Sequence, residues 1–194
     1  MDKNNTEAID YIVGILKMLI GTENTTDFTV FDLIRVIGTI IGFCLLFIAI
    51  IRLSKHGKTQ QMFRYYAPST TILMLFSGVM LLSMTGFLEM VSTALFQDTS
   101  LNPINTISAY ADGAEKSKDI NIAQQYLVFS LLAIVGFISL IRGVFLLIKV
   151  SEGQHEGGIG QVVSHLIAGV VGMNAAYCMT ILNNIYDFKQ YMTG

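Results

Sequence analysis

The sequence predicts an all-α integral membrane protein with about four transmembrane helices, and three observations carry that prediction. Charged residues occupy 13% of the 194 positions and hydrophobic residues 53%. A water-soluble domain carries charge on roughly a quarter of its residues, so too few charges remain here to cover a water-facing surface. Four apolar windows are each long enough for a bilayer core, which takes about 20 helical residues to cross. Finally, basic residues gather in the short loop between the first two windows.

Residues 1–31 read as an N-terminal amphipathic segment. Between Ala8 and Gly21, the residues Asp10, Gly14, Lys17 and Gly21 recur at i, i+4, i+7 and i+11, a weakly polar stripe on an otherwise apolar helix. Such a helix lies in the membrane interface or packs against the spans. Asp10 and Lys17 interrupt its apolar run and no small-residue cleavage pattern follows, so it does not read as a secretory signal.

Residues 32–96 form a first transmembrane hairpin. Its first span runs from Val36 to Leu53, and its second, longer than required, from Ala67 to Phe96. Residues 97–125 form a connection in which Asn102-Pro103 marks a turn. The residues after it, including Ala109, Tyr110 and Ala111, are compatible with a short amphipathic helix on the outer leaflet. Residues 126–194 supply a second hairpin and a short tail, with spans from Tyr126 to Ile148 and from Val162 to Leu182. The turn between them, Glu152 to Gln161, has four glycines but lacks the Lys-Ser/Thr of a phosphate loop, and reads as a flexible hairpin turn.

Short loops rich in Lys and Arg stay in the cytoplasm. The loop from Arg52 to Arg64 carries Arg52, Lys55, Lys58 and Arg64 without an acid, and the connection after span two is predominantly acidic. The expected product is a multi-pass protein of the bacterial inner membrane, with the 97–125 connection and both termini periplasmic. Shifting the chain by 94 residues lays Gly42-Phe43 on Gly136-Phe137, Lys55 on Lys149 and Gly78 on Gly172 without a gap. That is the outline of two tandem hairpins, a parallel repeat, although identity elsewhere is no greater than two apolar sequences share by chance.

Helices in lipid associate through close packing, which favours small residues at their contacts. Span one offers Gly38 and Gly42, and span three offers Ser139 and Gly143. In span four, Ser164, Ala168, Gly172, Ala176 and Thr180 place a small residue at every fourth position, a groove along one face. These residues serve either packing within the bundle or an interface between subunits, and the shortage of charge favours an oligomer.

The intramembrane polar residues are Arg142, His165 and Asn174. Arg142 stands about two turns before Lys149, so its guanidinium either snorkels to the headgroups or is paired or pore-lining. His165 lies near the cytoplasmic end of span four. Asn174 follows nine residues later on the opposite side of the helix, placed to bond a neighbouring helix.

Nothing here predicts an enzyme. Glu89 has no acidic or His companion nearby, and no nucleophile–base pair, metal cluster or cofactor motif stands out. Cys44 and Cys178 lie within spans, where Cys behaves as a small apolar residue. A net charge of −2 argues against nucleic acid as a partner.

The four spans, the long external segment and the Gly-rich turn before a small-residue final span (GGIGQVVSHLIAGVVGMNAAY) are similar to the IcmC/DotE-type proteins. These are inner-membrane components of the Dot/Icm type IVB secretion system, and the resemblance runs from Phe31 to Tyr186. It implies a structural role in effector export beside other secretion-system membrane subunits, and it carries over no ligand or active-site residue. The competing expectation is a small oligomeric transporter or ion channel, with Arg142, His165 and Asn174 lining its path.

Overall fold

The structure, a computed structural model, describes residues 3–21, 28–56, 68–96, 103–117, 119–152 and 158–186. Among them the protein is all-α, with eight helices and no strand. In chain order these are α1 (Lys3–Ile20), α2 (Val30–His56), α3 (Pro68–Leu82), α4 (Met84–Phe96), α5 (Pro103–Ser117), α6 (Ile120–Ser151), α7 (Gly158–Met173) and α8 (Ala175–Tyr186). Helix is the expected answer for such apolar sequence, because in lipid each backbone N–H and C=O must find its partner within the protein.

α2 and α6 are the two rods, with 27 and 32 residues. Both are long and apolar enough to cross a membrane. Their starts are written locally. At α2, Thr29 accepts a hydrogen bond from the Asp32 amide (3.1 Å) and Asp32 accepts one from the Thr29 amide (3.3 Å), a reciprocal cap that satisfies two otherwise free donors. At α6, Asp119 accepts from the Asn121 amide at 2.9 Å. The two helices run in the same direction. Phe31 near the start of α2 packs at a tilt against Phe137 with ring centroids 5.2 Å apart, and Arg52 near its end pairs with Glu152 just past α6 at 3.1 Å.

The second and fourth apolar windows do not form straight rods. α3 and α4 meet at Ser83 with a 95° bend, and α7 and α8 meet at Asn174 with an 83° bend. α3 alone has 15 residues, about 22 Å of helix, short of a hydrocarbon core of about 30 Å. The protein therefore has two helices that cross by length and composition, or up to four if each bent pair counts as one span. At Asn174 the bend coincides with two side-chain hydrogen bonds, one of them to its own helix. Its side-chain amide donates to the Val170 carbonyl at 2.9 Å, the carbonyl that also takes its backbone N–H. Ser and Thr side chains that bond the i−4 carbonyl in this way weaken helices slightly, and Asn174 adds to this a bond that leaves its own helix.

Each rod packs lengthwise on the helix that follows it, α2 on α3 and α6 on α7, while α3 also lies against α6. α1 and α5 pack on each other and on α6. The described residues of the 97–125 segment are thus mainly helical and integral to the bundle, with α6 starting at Ile120 rather than Tyr126. α1 turns Ile9, Val13, Leu16 and Ile20 inward, the i, i+4, i+7, i+11 row beside its polar stripe. Leu16, Leu81, Leu88, Ile107, Leu140 and Met173, one from each of six helices, are fully buried in the common core.

The helix order reads twice: a short helix, a long rod, a shorter apolar partner, a sharp bend and a final short helix. α1–α4 make the first such unit and α5–α8 the second.

Candidate functional site

The places where backbone meets backbone define the centre of each hairpin. A methyl group built on Gly42 would stand 3.0 Å from the Gly78 carbonyl oxygen and 2.8 Å from Leu81 Cβ. One built on Gly136 would stand 2.8 Å from the Gly169 carbonyl oxygen and 3.0 Å from the Gly172 Cα. Glycine is required at such contacts because the obstructing atoms are main chain or a Cβ, neither of which can swing aside. Gly42 and Gly78 are also the residues that the 94-residue shift lays on Gly136 and Gly172. The shift therefore relates contacts as well as letters: each rod meets its partner helix at the same glycine pair.

The other small residues divide. Gly38 faces the Ile141 side chain of α6, and Gly143 faces Leu166 of α7. Ser164 and Ala168 are exposed, and the Ser164 hydroxyl bonds back to the Gly160 carbonyl at 2.9 Å. Ala176 and Thr180 lie beyond the bend, on α8. The row from Ser164 to Thr180 is therefore not the continuous groove that its spacing predicts. A four-residue step rotates about 40° around a helix, so the row drifts from the open side at Ser164 to the α6 contact at Gly172. The 83° bend then ends it.

Polar side chains connect helices across the apolar interior. Asn174, buried, donates to the Ser92 hydroxyl of α4 at 2.9 Å. Ser139 of α6 lies 3.0 Å from His165 Nδ1 and 3.2 Å from the His165 carbonyl oxygen. With Nδ1 protonated, Ser139 accepts from the ring and donates to the carbonyl, so both groups are satisfied. A Ser–His contact alone is not a nucleophile and base: among the described residues no carboxylate orients the ring, and the hydroxyl is directed at main chain. Thr70 at the start of α3 donates to the Ser151 carbonyl at the end of α6, at 2.9 Å.

His165 and Asn174 serve different contacts and do not converge. Arg142 is exposed and lines an open groove of about 320 Å³ between α2 and α6, otherwise formed by Ile34, Ile37, Ile138, Ile141 and Phe145. Among the described residues no carboxylate pairs with it, and no group of three or more His, Cys, Asp or Glu could hold a metal. Cys44 and Cys178 are free. The Gly-rich turn and the basic loop between the first two apolar windows lie in part outside the described residues.

Ser92, Thr70, Gly78 and Gly169 escaped selection from sequence as contact residues. The glycines carried a signal, since Gly169 and Gly172 both recur on the side of α7 that meets Gly136. Ser92 carried none, because its role exists only once α4 turns at Ser83. Compared with known proteins, the chain matches no family model, no curated protein and no solved structure.

Proposed function

We propose that this chain is a non-enzymatic structural subunit of a bacterial inner-membrane assembly, of the type IVB secretion kind that its sequence resembles, supporting effector translocation by assembly rather than chemistry. The observation that carries this reading is how the polar side chains of the apolar interior are used. Asn174, Ser139, His165 and Thr70 each bond a neighbouring helix, which stiffens a scaffold and leaves no convergent polar path. Long apolar flanks of α2 and α7 meanwhile face outward, as membrane helices do where lipid or other chains cover them.

Orientation follows the positive-inside rule. Arg52 and Lys55 end α2, Lys149 ends α6, and the Arg52–Glu152 pair puts both ends on one side of the bundle. That side is taken as cytoplasmic, with α1, α5 and both termini toward the periplasm.

The transporter reading rests on one observation, the exposed Arg142 in the groove between α2 and α6. The rest of that groove is Ile and Phe, a lining suited to an acyl chain rather than an ion.

Tagging the C-terminus, solubilising native membranes in mild detergent and identifying co-purifying chains by mass spectrometry tests the proposal. Secretion-system membrane proteins in stable ratio are expected. A defined oligomer of this chain alone, passing ions or solutes in liposomes, would overturn it in favour of the transporter.

A further inference from the structure

The two units of the chain pack against each other along several helix pairs, one of which is α3 on α6, and each unit leaves one side of the equivalent of that contact unmet. Within the chain, α3 lies against α6, with Thr70 level with Ser151. The two helices are antiparallel, since α3 returns along α2 and α2 runs parallel to α6. Seven residues further along α3 and seven back along α6 bring Ser77 level with Val144, and both are 0% exposed. Thr70, Met74 and Ser77 are buried on the α3 side, and Val144 and Ile148 on α6. Phe137, about two turns further back along the same flank of α6, is buried and also packs against Phe31 of α2.

The 94-residue shift carries these positions to the outer surface. Phe137, 1% exposed, corresponds to Phe43, 55% exposed, and Val144 corresponds to Ile50, 57% exposed. On the other helix, Ser77 corresponds to Val171, 40% exposed, while Thr70 and Met74 correspond to the exposed Ser164 and Ala168. The angular positions agree as well. Phe43 stands one residue past Gly42 and Ile50 eight past, as Phe137 and Val144 stand past Gly136, about 80–100° around the helix from the glycine contact. α2 thus exposes the flank that α6 buries, and α7 exposes the flank that α3 buries.

We propose that a second copy of this chain covers these flanks, the α2 flank of one copy (Phe43, Ile50) seating on the α7 flank of the next (Ala168, Val171) and continuing between chains the α3–α6 contact made within each. The contact is heterologous, so successive copies close into a ring or propagate. This inference rests on the reading of the chain as an assembly subunit, and names this chain itself as one of the partners.

The test uses the full chain in native membranes, with Cys44→Ala and Cys178→Ala as background. Two differently tagged copies are co-expressed, one with Ile50→Cys and the other with Val171→Cys, and oxidised with copper phenanthroline. A second combination, Ser54→Cys with Ala168→Cys, follows from Met74 lying within one residue of the level of Ile148, both of them buried. All four positions face outward, so the fold is retained. The expected result is a disulfide-linked heterodimer in both combinations, none from either variant alone, and a ladder of multimers when one chain carries both changes. Self-linking by Ile50→Cys alone would overturn the proposal in favour of a symmetric α2–α2 contact. Absence of linking, with both positions open to a lipid-soluble maleimide, would assign the flanks to lipid and also overturn it. Such failure leaves the assembly reading intact if other membrane subunits still co-purify, and fails with it if they do not.

Discussion

Asn174 and Ser92, 82 positions apart in the chain, share a buried hydrogen bond of 2.9 Å from the Asn174 amide to the Ser92 hydroxyl. It joins α4, in the first unit, to the bend between α7 and α8 in the second. The same amide nitrogen donates to the Val170 carbonyl, so one side chain bonds both its own helix and α4 at the bend. Interhelical hydrogen bonds in lipid average about 0.6 kcal/mol and reach about 1.7. Asn174→Ala is expected to destabilise the bundle by about 1–2 kcal/mol, and Ser92→Ala by less. In a double-mutant cycle followed by denaturant unfolding in detergent, the two changes should be less than additive. Full additivity would mean that the bond contributes nothing.

The glycine pairs respond to enlargement according to what stands over them. Gly136→Val and Gly42→Val place new atoms against main-chain oxygen and Cα, which cannot swing aside as a flexible side chain can. Overpacking of this sort costs typically 1–3 kcal/mol, and each substitution should loosen its own hairpin. Gly14, with nothing within 4 Å of a built methyl group, lies inside α1, where Ala is preferred over Gly by about 0.5–1 kcal/mol. Gly14→Ala should therefore raise the unfolding midpoint. Equal losses at Gly14 and Gly136 would contradict the assignment of the close contacts.

These comparisons also show which parts of the architecture could be read from sequence. The rods α2 and α6 were legible because a membrane span is a one-dimensional signal, length and apolar content, and no local feature opposes it. The bends were not. Ser83 and Asn174 are each tolerated within helices, and no Pro lies near either to mark a stop. The bend at Asn174 is held by a partner on α4, Ser92, that sequence cannot bring near. The small residues were legible by kind but not by facing, because Gly172 and Ala168 differ by 40° in direction. That difference decides whether the residue meets α6 or the outside. The Gly42–Gly78 and Gly136–Gly172 coincidences were visible as letters, and gained weight only when both proved to be backbone contacts.

The docking of α1 offers two contributions of different size. Lys17 pairs with Glu115 of α5 at 2.9 Å, but the side chains remain 41% and 59% exposed. Exposed ion pairs contribute about 0–1 kcal/mol, whereas truncating a buried Leu to Ala costs about 2–5. Leu16, on the adjoining face, is 0% exposed. Glu115→Gln should leave stability nearly unchanged, and Leu16→Ala should release α1 to proteolysis before the rest of the bundle unfolds. Release of α1 by the Glu115 substitution would reverse this ranking.

Tyr110 links the fold to alkaline pH. Its ring is buried on α5, stacked on Tyr126 at 5.6 Å and near Phe129 at 6.1 Å, and among the described residues its hydroxyl closes no well-formed hydrogen bond. Burial pushes its pKa from 10.0 up to about 12, because the phenolate loses hydration that the neutral ring hardly needs. In the unfolded chain the same group ionises near 10. Between pH 10 and 12 the unfolded state therefore binds fewer protons than the folded state, and stability falls as pH rises. Below pH 10 the group is neutral in both states and contributes no slope. Tyr110→Phe removes a hydroxyl whose approach to the Ala176 backbone falls short of good hydrogen-bond geometry, so stability at neutral pH should hold or rise. The variant should also lose part of the alkaline decline, seen as a shallower dependence of the unfolding midpoint on pH above 10. An unchanged slope would place the alkaline sensitivity in the remaining tyrosines.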